Sequence, residues 1–220
     1  MNLLKQLISF IYPLKIKTIP SERSGALEVT LVNGKLVIDS ENANYSYGSL
    51  QRVLKKGLSY IGKQKLKQLN SILILGVAGG SVIQTLRKDF KLHTKITGVE
   101  IDADVIELAN TYFQLYKTPN LELITEDAFK YIRLTKHTYD LIIIDVFNDT
   151  QMPSELFEDT FWEATSNLLN DKGLCLFNTL YSTQKELDRN NKLKALLTPL
   201  FSNVESLKTN QINEIILVHK

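Results

Sequence analysis

Cysteine is scarce in this sequence of 220 residues, which contains a single one, Cys175. One thiol excludes an internal disulfide, and its position inside the apolar run Gly173–Phe177 predicts a buried core side chain. This use of cysteine fits a reducing compartment, so we expect a cytoplasmic protein.

Histidine and net charge are also low. The three histidines, His93, His137 and His219, are scattered without metal-ligand spacing, so the sequence predicts no metal site. The formal net charge of +2 argues against nucleic acid as an obligatory partner.

Long apolar runs are missing as well. The N-terminal stretch from Leu3 to Leu14 is interrupted by Lys5, Gln6 and Pro13, and it is too short to span a bilayer. We therefore expect no membrane partner. We interpret this stretch as a short helix that packs on the body of the protein or on a neighbouring subunit of a homodimer.

The chain divides into two regions by its pattern. Two β-rich runs between Ala26 and Asp39 are joined by Asn33-Gly34, a dipeptide that favours a tight hairpin turn. This pattern predicts a small N-terminal element of a helix and a β-hairpin over residues 1–45. The main domain then covers residues 46–220 and begins with a helix from Tyr47 to Leu58.

Strands and helices alternate from Ser71 onward, which predicts a parallel sheet with helices on both faces. The last two predicted strands, Val204–Lys208 and Glu214–Val218, are joined by a polar turn and form an antiparallel hairpin. We therefore predict an α/β fold with a doubly wound, mostly parallel seven-stranded sheet of the Rossmann-like methyltransferase type. The other strands are predicted at Ile72–Gly76, Ile96–Ile101, Leu121–Thr125, Leu141–Asp145 and Leu174–Leu180.

The segment from Ser71 to Asp102 has the form of a nucleotide-binding βαβ unit. A buried strand is followed by a turn that contains Gly76, Gly79 and Gly80, then by a helical stretch and a second strand that ends on Glu100. Glu100 follows Gly76 by 24 residues, close to the spacing of a ribose-binding acid. The third glycine of G-x-G-x-x-G is absent, which makes an NAD-dependent dehydrogenase a distant alternative.

Carboxylates follow several successive predicted strands. Glu100 and Asp102 follow the second, Asp127 with Ala128 follows the third, and Asp145 follows the fourth. Because ligands bind beyond the carboxyl ends of the strands in open α/β sheets, we expect these residues to line a ligand cleft. Each of these acids could instead be the N-cap of the next helix, and for Asp102 we favour the cap over ligand binding.

These motifs together resemble the polyamine aminopropyltransferases, the spermidine synthase family within the class I methyltransferase superfamily. The resemblance identifies Gly76, Gly79, Gly80, Glu100, Asp127 and Ala128 with the family's nucleoside-binding loops. It also identifies the run from Tyr139 to Asp145 with its catalytic strand, so that Asp145 is the expected catalytic residue.

The sequence departs from that family at three places. Gly79 replaces a glycine-loop aspartate that faces the donor's amine in the family, Asn148 replaces a second aspartate near the catalytic one, and Gly48-Ser49 replaces the polar pair after Tyr47. Loss of the loop carboxylate leaves room for the carboxylate of ordinary S-adenosylmethionine. We expect Tyr47, Asn148 and Asp149 to border the acceptor.

The favoured hypothesis from sequence is an S-adenosylmethionine-dependent methyltransferase with an unidentified small-molecule acceptor. The first alternative is an aminopropyltransferase that uses decarboxylated S-adenosylmethionine, with Asp149 in place of the missing carboxylate. The second is a catalytically silent nucleoside-binding or dimerisation module.

Overall fold

The computed structural model describes residues 3–40, 49–148, 150–210 and 212–220. They form a small antiparallel sheet of three strands and a mixed sheet of seven. The predicted boundary at residue 45 lies in the segment outside these ranges and stays a prediction.

The N-terminal region contains one strand more than predicted. Helix α1 (Leu3–Ile8) leads into strand β1 (Leu14–Ser21), which pairs antiparallel with β2 (Gly25–Val32), and β2 pairs with β3 (Lys35–Ser40). The β2–β3 hairpin turns at Asn33-Gly34 as predicted, with positive φ at both residues. The sequence analysis missed β1, an edge strand that accommodates Pro20 because one side of its backbone needs no partner.

The main sheet has the strand order β6-β5-β4-β7-β8-β10-β9, which confirms the predicted doubly wound fold. Strands β4 to β8 pair in parallel, and β10 pairs antiparallel with β8 and β9, which confirms the C-terminal hairpin. The strands are β4 (Ser71–Leu75), β5 (Lys95–Glu100), β6 (Leu121–Thr125), β7 (Tyr139–Ile144), β8 (Leu169–Leu180), β9 (Asn203–Lys208) and β10 (Asn213–His219).

Helices cover both faces of this sheet. They are α2 (Ser49–Ile61), α3 (Lys63–Leu66), α4 (Ser81–Gln84), α5 (Ala103–Phe113), α6 (Ala128–Leu134), α7 (Asp159–Asn167) and α8 (Gln184–Leu197), with single 3-10 turns at Leu115–Lys117 and Ser154–Phe157. The predicted helix after the glycine turn becomes α4 followed by a π-helical turn, Thr85–Asp89. In the described ranges no helix is long and apolar enough to cross a membrane.

The core has two layers because the central strands are buried on both faces. In β4, Ile72 and Ile74 join the layer under α2 and α4, whereas Leu73 and Leu75 join the layer under α6, α7 and α8. This alternation of inward faces follows from the two-residue period of a strand. Cys175 is fully buried in the second layer, as predicted.

The order of the strands changes direction at β4, which lies between β5 and β7. The crevice of a doubly wound sheet opens at such a point, beyond the carboxyl ends of the strands. The glycine turn after β4 and the acids after β5, β6 and β7 therefore lie at one edge of the molecule.

Candidate active site

Gly76 lets the end of β4 approach the end of β7 closely. Its φ of +83° lies in the left-handed region, and a Cβ at this position would lie 2.2 Å from the backbone oxygen of Asp145. The Asp145 N–H in turn donates to the Leu75 carbonyl at 2.9 Å. Only glycine satisfies both the backbone angle and the contact, so this residue sets the distance between the glycine turn and the end of β7.

Gly79 and Gly80 complete the turn before α4. Gly80 has φ of +77°, and a Cβ there would lie 2.5 Å from the Leu115 side chain. Gly79 is buried, and Ala78 has a positive φ of 46° although it carries a side chain. The turn thus presents backbone, with no carboxylate, to the crevice.

The carboxylate of Glu100 holds the glycine turn by hydrogen bonds. One oxygen accepts from the N–H groups of Val77 and Ala78 at 3.0 and 2.9 Å, and the other accepts from those of Ile101 and Asp102 at 2.9 and 3.2 Å. Burial raises the pKa of Glu100, while these N–H groups act in the opposite direction. Two bonds to each oxygen use the lone pairs of the carboxylate, so any further donor would have to share or displace one of these N–H groups.

Asp102 has the capping role favoured for it from sequence. It is the N-cap of α5, where one of its oxygens accepts from the N–H groups of Asp104 and Val105. The other oxygen accepts from the hydroxyls of Ser21 and Ser24, both at 2.6 Å. Because these serines lie at the β1–β2 turn, Asp102 joins the N-terminal sheet to the main domain.

Asp127 caps the next helix. Its Oδ1 accepts from the N–H of Lys130 at 2.8 Å, and Ala128 is the buried first residue of α6. The neighbouring Glu126 is paired with the Lys130 side chain at 2.7 Å. Asp127 and Ala128 therefore lie at the junction between β6 and α6, and their place in a ligand cleft and their contact with an adenine ring stay predictions.

Asp145 directly follows β7, at the edge of the sheet where the crevice is expected. Its Oδ1 accepts from the side-chain amide of Asn178 at 2.8 Å. Burial raises the pKa of Asp145 to about 6, with a smaller contribution in the same direction from the charge of Glu100. A carboxyl group with this pKa exchanges protons close to neutral pH, which suits a general base.

Asn178 is the residue of this site that the sequence analysis missed. It is fully buried on β8, and its own oxygen accepts from the Asn213 amide at 3.1 Å. Asn213 accepts in turn from Asn210 at 3.0 Å. The sequence did contain a signal for Asn178, because this amide directly follows the apolar run that ends on Phe177. A polar side chain buried in a central strand needs specific hydrogen-bond partners and therefore indicates a functional or structural site.

The expected acceptor residues are only partly described. Asn148 is exposed just beyond Asp145, where its backbone exchanges two hydrogen bonds with Gln151 at 2.8 and 3.0 Å. Tyr47 and Asp149 lie outside the described residues, and their roles stay predictions. In the part of the chain that is described, no three His, Cys, Asp or Glu side chains are grouped as metal ligands.

A separate groove of about 600 Å³ runs between β3, α2, α4 and α5. It is lined by the cationic side chains of Lys35, Arg52, Lys55 and Lys88 and by the anionic Asp89, which pairs with Lys55 at 2.9 Å. This excess of positive charge repels cationic amines. The groove is therefore unsuited to a cationic ligand.

Comparison with solved structures agrees with this fold. Solved structures with the same fold include the spermidine synthase of Thermotoga maritima (TM-score 0.71, 18% identity, covering 94% of this chain and 73% of that one). Human methyltransferase-like protein 13 in complex with SAH is also similar (TM-score 0.66, 21% identity, covering 78% and 82%).

Curated relatives match between half and two thirds of this chain. A polyamine aminopropyltransferase of Vibrio vulnificus is 37% identical over 121 residues, which cover 53% of this chain and 40% of that protein. A probable polyamine aminopropyl transferase of Bifidobacterium longum is 27% identical over 144 residues, 66% of this chain and 32% of that protein. The chain thus matches less than half the length of these relatives. The model of the spermine/spermidine synthase domain matches residues 52–210, and the chain therefore belongs to the spermine/spermidine synthase domain family.

Proposed function

We propose that this protein is an aminopropyltransferase of the polyamine type, which moves an aminopropyl group from decarboxylated S-adenosylmethionine to the amine of a small acceptor. The observation that carries the proposal is the position of Asp145. Its carboxyl group, with a pKa of about 6, lies where β7 meets the glycine turn after β4. The family match and the names of the relatives support this function over methyl transfer.

The chemistry needs a base and alignment. The acceptor nitrogen attacks the propyl carbon bonded to the donor's sulfonium, the carbon–sulfur bond breaks, and methylthioadenosine leaves with the bonding electron pair. An amine is protonated near neutral pH and is not nucleophilic until it loses that proton. In our proposal the ionised Asp145 accepts it, and the family's expected roles leave Tyr47, Asn148 and Asp149 to position the acceptor.

The donor side is assigned to the glycine turn and the next two strand ends. The turn at Gly76, Gly79 and Gly80 would face the donor's sulfonium side, Glu100 would exchange one of its N–H bonds for a ribose hydroxyl, and Asp127 with Ala128 would border the adenine. In support, Asp127 uses one oxygen for its cap, so the other is available to an exocyclic amine.

Methyl transfer from S-adenosylmethionine is the second candidate, and Gly79 favours it. A buried glycine at this place in the turn presents no carboxylate to repel the donor's own carboxylate. The structural similarity to a methyltransferase-like protein in complex with SAH shows only that the fold is shared. We give more weight to the family match, which supports aminopropyl transfer, than to Gly79 alone.

A competition between donors distinguishes the two functions. The purified chain is incubated with equal concentrations of S-adenosylmethionine and its decarboxylated form, together with a set of diamines, and the released thioether is identified by chromatography. Aminopropyl transfer releases methylthioadenosine, whereas methyl transfer releases S-adenosylhomocysteine. Release of the second product alone would refute the proposal, and release of neither would favour a silent nucleoside-binding protein.

A further inference from the structure

The segment from α1 to the start of β1 is amphipathic, but its polar side faces the protein. Ser9 is buried: its hydroxyl accepts from the Gly34 N–H at 2.8 Å and its carbonyl accepts from the Asn33 N–H at 2.9 Å. Gln6, one turn earlier, reaches the Gly34 carbonyl at 3.4 Å. Polar contacts with the tip of the β2–β3 hairpin therefore fix this segment in place.

The opposite side of the segment is apolar and exposed. Leu3, Leu7 and Ile11 recur every four residues and are 71%, 58% and 90% exposed. Tyr12, in the turn that follows, is 70% exposed. The ring of Phe10 is also 61% exposed, but its edge lies against Gly34 at the tip of the hairpin. We call Leu3, Leu7, Ile11 and Tyr12 the N-terminal apolar face. Monomeric soluble proteins rarely expose large apolar side chains in such a group, which marks an interaction surface.

All the charged side chains within this segment are positive. Between Leu3 and Ser21 the chain has three lysines, Lys5, Lys15 and Lys17, and no aspartate or glutamate. Lys15 is paired with Glu28 of the neighbouring strand, while Lys5 and Lys17 are exposed. The face thus combines leucine, isoleucine and tyrosine side chains with flanking cations.

We propose that the N-terminal apolar face docks the protein on the surface of an anionic lipid bilayer. Leucine and isoleucine would enter the boundary between headgroups and acyl chains, the tyrosine would lie at headgroup level, and the lysines would contact anionic headgroups. The segment lies on the bilayer and does not cross it, in keeping with its length. This peripheral contact departs from the sequence expectation of no membrane partner.

A second copy of the chain suits this face less well than lipid. In a twofold dimer the same patch meets itself, which would bring the lysines of one copy towards those of the other with no acid within the segment to pair with them. An anionic bilayer offers charge of the opposite sign, so charge complementarity selects it.

Cosedimentation with vesicles tests the proposal. Wild type is expected to bind vesicles of phosphatidylglycerol and phosphatidylcholine, and to bind at least ten times more weakly to phosphatidylcholine alone. Leu7→Ser with Ile11→Ser should abolish binding, and Lys5→Gln with Lys17→Gln should weaken it by about 25-fold, since each lysine near the surface contributes about fivefold. Leu134→Ser, at a leucine 67% exposed at the end of α6, is the matched control and should bind like wild type.

Several outcomes would overturn the assignment. One is equal binding to both kinds of vesicle, and another is loss of binding in the Leu134→Ser control. The third is light scattering that gives a twofold mass for wild type and a single-chain mass for the Leu7→Ser, Ile11→Ser variant, because a second copy then covers the face. Circular dichroism of each variant distinguishes loss of binding from loss of fold. None of these readouts depends on transferase activity.

Discussion

At the residue scale, the proposed reaction depends on whether the carboxyl group of Asp145 is ionised. Asp145 loses hydration where β7 ends, which raises its pKa to about 6, while the amide of Asn178 stabilises the ionised form. A base with this pKa is largely ionised at neutral pH and still retains affinity for a proton. The side-chain amide of Asn213 donates to the side-chain oxygen of Asn178, and this bond fixes the orientation of the Asn178 amide.

We predict that Asn178→Ala shifts the pH profile of the transferase. Loss of the amide donor removes an interaction that lowers the pKa of Asp145, so this pKa should rise by about 1 unit. Activity that requires the ionised carboxylate then appears at higher pH, and the acidic limb of kcat/KM against pH should move upward by the same amount.

The matched control is Asn170→Ala, which removes an amide that donates to Asp140 at 2.7 Å, away from the crevice. Its acidic limb should coincide with that of wild type. An unchanged limb in Asn178→Ala would show that Asp145 is not the group that limits activity in acid.

At the scale of elements, the turn after β4 depends on close contact between two strand ends. We predict that Gly76→Ala lowers the free energy of unfolding by at least about 3 kcal/mol, because the new Cβ meets the Asp145 carbonyl at 2.2 Å. Gly25→Ala is the control: Gly25 has φ of +69° but open space around it, so only the backbone strain of about 1–2 kcal/mol applies. Urea unfolding measures the free energy of unfolding of both variants. Equal losses of stability would contradict the role given to the contact between Gly76 and the Asp145 carbonyl.

The junction between the two sheets gives a second prediction at this scale. Asp102→Ala removes a helix cap and the acceptor of two serine hydroxyls, so it should destabilise the fold by about 3 kcal/mol. Asp127→Ala removes a cap alone and should cost about 1 kcal/mol. Thermal unfolding compares the two variants. Equal losses would mean that the serines contribute nothing to holding the N-terminal sheet.

Most helices and strands could be predicted from the sequence because apolar residues recur with a different period in the two kinds of element. Runs such as Ile72–Leu75 are apolar at every position, as expected for strands buried on both faces. Strand β1 was missed because four of its eight residues are exposed in succession and it contains Pro20, which together hide the alternation. The π-helical turn Thr85–Asp89 could not be predicted, because its apolar residues follow the same pattern as those of an α-helix.

At the scale of the whole molecule, the sequence analysis found which strand ends carry acids but not what those acids bind. Glu100 looked like a ribose ligand from its spacing alone, yet its carboxylate also holds four backbone N–H groups, a role that depends on the path of the turn. The orientation of α1 was equally hidden. Its apolar residues predicted packing on the body or on a neighbouring subunit, whereas Gln6 and Ser9 form the hydrogen bonds to the hairpin and Leu3, Leu7 and Ile11 are exposed.

The central claim is that this crevice transfers an aminopropyl group with Asp145 as the base. Mass spectrometry of the acceptor after incubation with decarboxylated S-adenosylmethionine and diamines tests it most directly, with wild type and Asp145→Asn compared side by side. We predict that wild type adds one aminopropyl group to an acceptor amine, and that Asp145→Asn does so at least about 100-fold more slowly. Equal rates in the two proteins, or an acceptor that gains a methyl group from S-adenosylmethionine and never an aminopropyl group, would contradict the claim.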